Sequence, residues 1–420
     1  MSTAAAGLRL STAHRQSLAW KSRLAWAGYP LLVYFVSRAV GAAVLLYGAA
    51  RQAQISASSG YHAEDLTAAS PPFSEVVANW DGQWYQSIAL HGYPNALPTA
   101  DGAVLQNEWA FFPLFPLLCR AVMAGTGMSF GWAAVALNIL VGAIAVCALY
   151  RILVARTSVF NARVAVTLLC SFVAAPALQV AYTEALALLL VVLTLWAIAT
   201  GRYWVSLAPA TALSLTRGVL PAMAVVLIVT VAVRAAATRD TSVSWWRPLA
   251  RGVVVGVVML GLSMAWPMIA GVVTGVPDAY LRTQDAWPAR RDLPAFGGWF
   301  ASAMTWQPLP QAGFLVALGV MVAAIWLQRR TFGLVLTTWA LAYLAYILTM
   351  TAPSPSILRY LMLCVVPFWP LLRDPAPSRS TRTALLLPVG IVSLLGVAAQ
   401  AWWVLTVFTV HQSPLLQAHP

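Results

Sequence analysis

The chain has 420 residues, of which 60% are hydrophobic and only 9% are charged. A water-soluble core of this size cannot hide so many apolar side chains, so the composition excludes a soluble domain and predicts a polytopic membrane protein. The net charge of +13 would suggest nucleic acid in a soluble chain. Here the distribution of charge across a membrane matters more than its sum, and we expect no nucleic-acid partner.

Residues 1–23 are polar and carry four basic residues, which predicts that this N-terminal arm stays in the cytoplasm. The arm leads into a long apolar segment without a small-residue cleavage site, so no cleavable signal peptide is expected. The first predicted span covers about 24–50. It contains Arg38, which must face protein, water or a lipid phosphate because a charge in hydrocarbon is costly.

A long extracytoplasmic loop is predicted over 51–131. Asn79 can cap a short helix there, and Asp81 falls in its first turn, where free N–H groups favour a carboxylate. Gly92 ends the helix. Its Trp and Tyr content suits the membrane interface. At helical spacing two neighbouring faces are predicted, one with Trp80, Trp84, Ser87 and His91 and the other with Asp81, Tyr85 and Ile88.

The sequence NEWAFFPLFP follows a polar spacer in the same loop. Pro113 and Pro116 argue against an undisturbed helix crossing the bilayer, so 109–125 is predicted to dip into the membrane and return. Glu108 and Asp81 are then expected near one another just outside the membrane.

The rest of the chain is predicted to be all-helical, with about eleven crossings in total. The further spans lie near 132–150, 164–181, 183–200, 204–216, 218–233, 252–275, 311–328, 331–349, 357–372 and 383–409. The spans 204–216 and 218–233 are predicted to form a V with Arg217 at its tip. Residues 276–310 form a second extracytoplasmic loop.

This topology places seventeen of the 25 basic residues inside and ten of the twelve acidic residues outside, as the positive-inside rule requires. Arg217 and Arg359 lie at the outer boundary, where each can meet an anionic headgroup. The alternative for either residue is snorkelling to lipid phosphates. Lys21 is the only lysine, and the Arg, Ala and Val usage indicates a bacterial plasma-membrane protein.

Three segments in order resemble the PIG-V mannosyltransferase family of the GT-C superfamily. The first is WDGQWYQSIALHGY, followed after the spacer by NEWAFFPLFPLL. The second is AYTEALALLL, and the third is GRYWVSLAPATALSLTRGVLPA, where the family's Ser-Asn after the arginine is absent. The resemblance covers 24–235 in sequence and the remainder only in architecture.

The resemblance implies one GT-C-like membrane domain over 1–420 and an inverting hexosyltransferase. The donor would be mannose on a polyprenyl phosphate, and the acceptor a glycan or glycolipid on the extracytoplasmic face. Asp81 corresponds to the catalytic aspartate of the first outer loop in GT-C enzymes. It would act as general base toward the acceptor hydroxyl.

The remaining candidate residues follow from the position of the donor. Arg217 and Arg359, with His91 as a weaker third, are predicted to bind its phosphate. Predicted substrate-binding residues are Glu108, Glu184, Trp80, Trp84, Tyr85 and Trp109; for the tryptophans an interfacial belt is the alternative. No cofactor is expected, and no His-rich spacing demands a metal, although Asp81 with Glu108 could bind one.

Two other classes of function stay open at this point. A transporter or flippase of a lipid-linked sugar predicts an internal repeat and ionisable residues near mid-membrane. No repeat is evident, and the acidic residues gather at the outer boundary. A non-catalytic subunit of a glycan assembly complex predicts that Asp81 only starts a helix and tolerates replacement by Asn.

Overall fold

The computed structural model describes residues 25–54, 69–238, 245–287, 297–364 and 374–410. The N-terminal arm 1–23 and parts of both predicted outer loops lie outside these ranges. The helices before the midpoint of the chain are α1 Gly28–Ala49, α2 Phe73–Val76, α3 Asp81–His91, α4 Leu114–Thr126, α5 Phe130–Arg156, α6 Val159–Cys170, α7 Glu184–Ala199 and α8 Leu207–Ser214.

The later helices are α9 Leu220–Thr238, α10 Trp246–Ser263, α11 Ala265–Thr274, α12 Ala279–Asp285, α13 Gly298–Met304, α14 Pro308–Leu327, α15 Arg329–Met350, α16 Ile357–Leu361 and α17 Arg379–Trp403. A π-helical turn, Val404–Phe408, continues α17. In the described residues the strands are β1 Thr99–Ala100 and β2 Ala103–Val104, which pair as an antiparallel hairpin. The protein is therefore an all-α, polytopic membrane protein, as the composition predicted.

The predicted spans correspond to helices of different lengths. Seven segments of the described chain are long and apolar enough to cross a bilayer: Gly28–Ala49, Phe130–Arg156, Leu220–Thr238, Trp246–Thr274, Pro308–Leu327, Arg329–Met350 and Arg379–Phe408. The predictions at 164–181 and 183–200 meet the shorter helices α6 and α7. These apolar helices of 12 and 16 residues reach only about 18 and 24 Å at 1.5 Å per residue. The predicted span 357–372 lies partly outside the described residues, so about eleven crossings stays a prediction.

The predicted V has one short arm. Its first half is α8, an eight-residue helix of about 12 Å, which is too short to cross the hydrocarbon layer. Its second half is the 19-residue α9. The prediction of a span at 204–216 is therefore wrong, but the tip at Arg217 still lies between two helices.

The dipping segment of the first outer loop is the thirteen-residue helix α4, about 20 Å long and too short to cross. Pro113 occupies its N-cap and Pro116 its first turn, where a missing N–H breaks no helical hydrogen bond. Arg120 on this helix donates to the carbonyls of Ala89 and Leu90. Its positive charge stabilises the C-terminal end of α3 and joins the two helices.

Helices α1 and α5 approach each other closely. A Cβ on Gly142 would overlap the Tyr34 hydroxyl, and that hydroxyl donates to the Asn138 carbonyl at 3.2 Å. The Asn138 side-chain amide in turn donates to the carbonyls of Val180 (2.6 Å) and Tyr182 (2.9 Å). Because these two carbonyls precede α7, α5 fixes the non-helical segment from which Glu184 starts its helix.

The two predicted outer loops meet. The Asn107 side chain donates to Thr283 on α12 at 3.2 Å, and Gln284 donates to the Ala110 carbonyl at 3.1 Å. The 3₁₀ turn Glu108–Ala110 is therefore covered by the second loop. The sequence predicted both loops but not their contact.

Labelling with a membrane-impermeant thiol reagent tests the predicted sidedness. Ala103→Cys lies on the exposed β-hairpin and Ser380→Cys near the start of α17. In a background without the four native cysteines, we expect intact cells to label at position 103 and not at position 380. Permeabilised cells are the control, because both positions should then react. The reverse pattern in intact cells would place the outer loop in the cytoplasm.

Candidate active site

Arg359 lies at the centre of a buried ion-pair network. It is the third residue of α16, and its guanidinium donates to Asp81 Oδ2 and, at 3.3 Å, to Glu184 Oε1. The three residues come from three distant parts of the chain, since Asp81 opens α3 and Glu184 opens α7. The Arg359 side chain is 5% exposed and that of Glu184 is fully buried.

Arg217 joins the same network from the turn between α8 and α9. Its Nη1 lies 2.9 Å from Glu184 Oε1, the oxygen that Arg359 also contacts. The second carboxylate oxygen of Glu184 is buried and has no hydrogen-bond partner within the described chain. One carboxylate oxygen therefore holds two guanidinium groups side by side.

The network contains two positive and two negative side chains, so its formal charge is zero. Buried charges are tolerated when they are paired, because the pairing offsets their loss of hydration. The side chains of Asp81 and Arg217 are 25% and 16% exposed. Asp81 and Arg217 are therefore the partly exposed members of the network, while Glu184 and Arg359 are its buried members.

Two tyrosine rings pack against the guanidinium groups of Arg217 and Arg359. The Tyr360 ring centroid lies 4.5 Å from Arg217 Cζ and 5.2 Å from Arg359 Cζ, and the Tyr182 centroid lies 4.7 Å from Arg359 Cζ. These contacts have the geometry of cation–π interactions. Neither tyrosine was predicted as a site residue, although each is within two residues of one in the sequence.

Tyr85 is 6% exposed and packs edge-to-face on Phe111 and Phe115. Burial raises the pKa of its hydroxyl above the usual range, and the negative charges of Asp81 and Glu184 raise it further. The hydroxyl therefore stays protonated. The ring is interior and supports α3, and substrate binding by Tyr85 stays a prediction.

Trp84 stands one helical turn after Asp81 and is only partly buried. Its ring stacks on Phe111 with centroids 5.8 Å apart and meets the edge of Trp287 at 6.0 Å. Trp287, also partly buried, comes from the second outer loop and was missed because sequence spacing does not show which loops meet. This aromatic group borders the network on the Asp81 side.

Trp80 and Trp109 do not lie on an open surface. Trp80 is 7% exposed and its indole N–H donates to the Phe408 carbonyl. Trp109 is 2% exposed, donates to the Pro94 carbonyl and packs against Trp266. Both were predicted to contact substrate or form an interfacial belt. Both rings are buried here, so an interfacial belt is not what they form in this structure, and substrate binding by either stays a prediction.

His91 and Glu108 lie outside the ion-pair network. His91 is the exposed last residue of α3, ten residues and about 15 Å from Asp81 along the helix. His91 is thus remote from Asp81 along the helix, and its role as a phosphate ligand stays a prediction. Glu108 accepts a hydrogen bond from Ser87 at 2.7 Å, which places it beside a later turn of α3. Nowhere in the described ranges do three or more His, Cys, Asp or Glu residues gather as metal ligands.

The sequence matches no family model and no curated protein. Among solved structures, ArnT from Cupriavidus metallidurans bound to undecaprenyl phosphate is 17% identical with a TM-score of 0.49, covering 87% of this chain and 64% of that chain. The same protein in the apo state is 16% identical with a TM-score of 0.45, covering 88% and 64%. This chain thus spans 64% of the length of these structures. Similarity at this level assigns neither a family nor an activity to it.

Replacing Glu184 by Gln tests the role of the shared carboxylate in the fold. The change leaves two buried guanidinium groups beside a neutral amide, and removing one partner of a buried pair costs about 3 kcal/mol or more. We therefore expect the Tm of the detergent-solubilised protein to fall by several degrees.

The matched control is Glu75→Gln, because Glu75 is exposed on α2 and such changes stay within about 0.5 kcal/mol. Equal thermal stability of the two variants would contradict the view that the network depends on Glu184.

Proposed function

We propose that the protein is a GT-C-type membrane glycosyltransferase that moves a sugar from a polyprenyl-phosphate donor to a hydroxyl of a glycan or glycolipid on the extracytoplasmic face. The observation that carries the proposal is the pair of contacts made by Arg359. This residue links Asp81, the candidate base, to Glu184, which also binds Arg217. The motif resemblance favours mannose as the sugar.

The two guanidinium groups suit a phosphate. Arg217 and Arg359 contact one carboxylate oxygen, so they stand close enough for one phosphate to bind both. Arginine pairs with phosphate through forked, charge-assisted hydrogen bonds. Glu184 and Arg217 stand at the ends of the apolar helices α7 and α9, which suits a lipid with a charged head and an isoprenoid tail.

The reaction assigned to this site is a single displacement at the anomeric carbon. Asp81 takes the proton of the acceptor hydroxyl, the acceptor oxygen forms a bond to the anomeric carbon, and the bond from that carbon to the phosphate oxygen breaks. The electron pair of the broken bond stays on the phosphate. Displacement from the opposite side inverts the configuration of the sugar.

We assign Arg359 to both parts of this step, the proton transfer to Asp81 and the departure of the phosphate. When Asp81 accepts the proton it loses its negative charge, and the polyprenyl phosphate gains one as it departs. A guanidinium that touches both groups keeps a negative partner throughout, moving its hydrogen bond from Asp81 to the phosphate. Fixed donors of this kind lower the barrier because they stabilise charge where it develops.

The sugar rings have a suitable surface beside the base. Trp84 and Trp287 are partly open aromatic rings, and a pyranose can pack its C–H face on such rings through apolar contact. Glu108, held by Ser87, supplies carboxylate oxygens that can accept hydrogen bonds from sugar hydroxyls. This surface lies on the solvent-facing side, so we assign it to the sugar and the acceptor.

Replacement of Asp81 by Asn is the direct test of the function. Asn keeps the size of the side chain but cannot accept the proton, so we expect turnover to fall roughly 10²-fold or more with donor binding largely kept. The measurement is transfer of radiolabelled mannose from undecaprenyl-phosphate mannose by purified protein in liposomes. Other polyprenyl-phosphate sugars are run in parallel to identify the donor.

Glu108→Gln is the control, since Glu108 is outside the ion-pair network and is not assigned as the base. Loss of transfer in Glu108→Gln with full activity in Asp81→Asn would reverse the two roles. Movement of an intact lipid-linked sugar across the bilayer, with no cleavage of its phosphate ester, would replace the enzyme by a flippase.

Arginine-to-lysine variants test the phosphate assignment. Lysine keeps the charge but lacks the planar fork and the second nitrogen that lets Arg359 reach two partners. We expect Arg359→Lys and Arg217→Lys each to weaken transfer severalfold or more, with a higher KM for the donor. Arg282→Lys, a change in an exposed pair with Asp278, is the control. Wild-type donor affinity in both network variants would require another phosphate site.

A further inference from the structure

The backbone immediately before Asp81 has a conformation that its residue type rarely adopts. Trp80 has φ +57° and ψ −115°, and Gly82 N–H donates to the Asn79 carbonyl at 3.1 Å. Residues 79–82 therefore form a turn of type II′, in which the first central residue is normally glycine. A tryptophan at this position is strained, because its Cβ crowds the neighbouring peptide groups.

Contacts from the far end of the chain hold the strained turn. The Phe408 carbonyl, in the π turn after α17, accepts the Trp80 indole N–H at 2.7 Å and the Asn79 side-chain amide at 3.2 Å. Asn79 also donates to Gln52 Oε1 at 2.7 Å, just beyond the end of α1. The turn is thus tied to both the first and the last helices of the described chain.

The opposite side of the turn rests on the segment that leads to Glu184. A Cβ on Gly82 would lie 3.4 Å from the Ala181 side chain, and Ala181 N–H donates to the Val77 carbonyl at 2.8 Å. Asp81 is the third residue of the turn, so the Trp80 dihedrals set the direction in which its carboxylate leaves the backbone. That direction is toward Arg359.

We propose that Trp80 is a positioning residue, whose hydrogen bond to the Phe408 carbonyl keeps the turn strained and thereby aims Asp81 at the acceptor hydroxyl. The proposal rests on the proposed function, in which Asp81 is the base. Strain held by surrounding structure is characteristic of active sites. Glycine would adopt the turn at no steric cost, but only a side chain with a donor links the turn to the C-terminal segment.

The first test replaces the indole by a ring without a donor. Trp80→Phe keeps most of the packing and loses the hydrogen bond to Phe408, so we expect turnover to fall tenfold or more with the donor KM nearly unchanged, because a small displacement of a reacting group is costly. The matched control is Trp266→Phe. It removes a buried indole bond of 3.2 Å to the Trp109 carbonyl, away from the base, and should leave turnover within twofold.

A second pair of variants tests the effect of backbone strain at position 80 separately from the loss of the indole. Trp80→Gly and Trp80→Ala both lose the ring and its donor, but only glycine accepts the positive φ without strain. We expect the glycine variant to turn over severalfold faster than the alanine variant, measured per folded molecule after size-exclusion chromatography. Equal turnover of these two variants would overturn the proposal, even if Trp80→Phe could not be purified.

Combination with Asp81→Asn separates this inference from the function on which it rests. If Trp80 acts through Asp81, Trp80→Phe should cause no further loss in the Asp81→Asn background. Multiplication of the two defects would overturn the positioning role while leaving Asp81 as base. Full activity of Asp81→Asn alone would instead remove the role of Asp81 as base, the part of the proposed function on which this inference rests.

Discussion

The need to pair the Glu184 carboxylate governs the arrangement of the surrounding helices. A fully buried negative charge at the start of an apolar helix is costly unless cations reach it, and both of its contacts come from other segments, Arg217 and Arg359. The turn between α8 and α9 and the short α16 must therefore converge on the start of α7. Asp81 then completes the charge balance from the start of α3. The site and the helix packing are consequences of the same pairing requirement.

Residue-level predictions succeeded where local chemistry decides the outcome. The helix Asp81–His91 has the predicted carboxylate in its first turn and glycine after its last residue. The prediction that Asn79 caps it is wrong, because Trp80 is the N-cap. The Asn79 side chain donates instead to Gln52 and Phe408. Arg217 and Arg359 were both predicted at the outer membrane boundary and at one phosphate, because a hydrophobic chain can hold charge only at such positions. In the structure the two side chains lie close together. Their function as phosphate ligands stays a prediction, as does that of Asp81 as base.

Other features were beyond the sequence because they depend on tertiary contacts. An apolar run predicts burial in lipid or in protein equally well, so the sequence could not show that the predicted spans 164–181 and 183–200 contain the shorter helices α6 and α7. From sequence, the tryptophans of the loop 51–131 had the same predicted role. In the structure Trp84 is partly exposed, whereas Trp109 is buried against Trp266 from α11. No periodicity reveals a tryptophan with positive φ, since glycine is the residue that such a position ordinarily selects.

The carbonyl of Phe408 has a consequence for biosynthesis. Its hydrogen bonds to Asn79 and Trp80 span 329 and 328 residues, so a ribosome must synthesise nearly the whole chain before the turn at Asp81 can be fixed. Residues 79–82 leave the ribosome early, but their contacts form only after α17 has been synthesised and inserted. The nascent chain therefore lacks the ordered turn before Asp81 until α17 is in place, and a chain that stops before Phe408 would lack the contacts that orient Asp81.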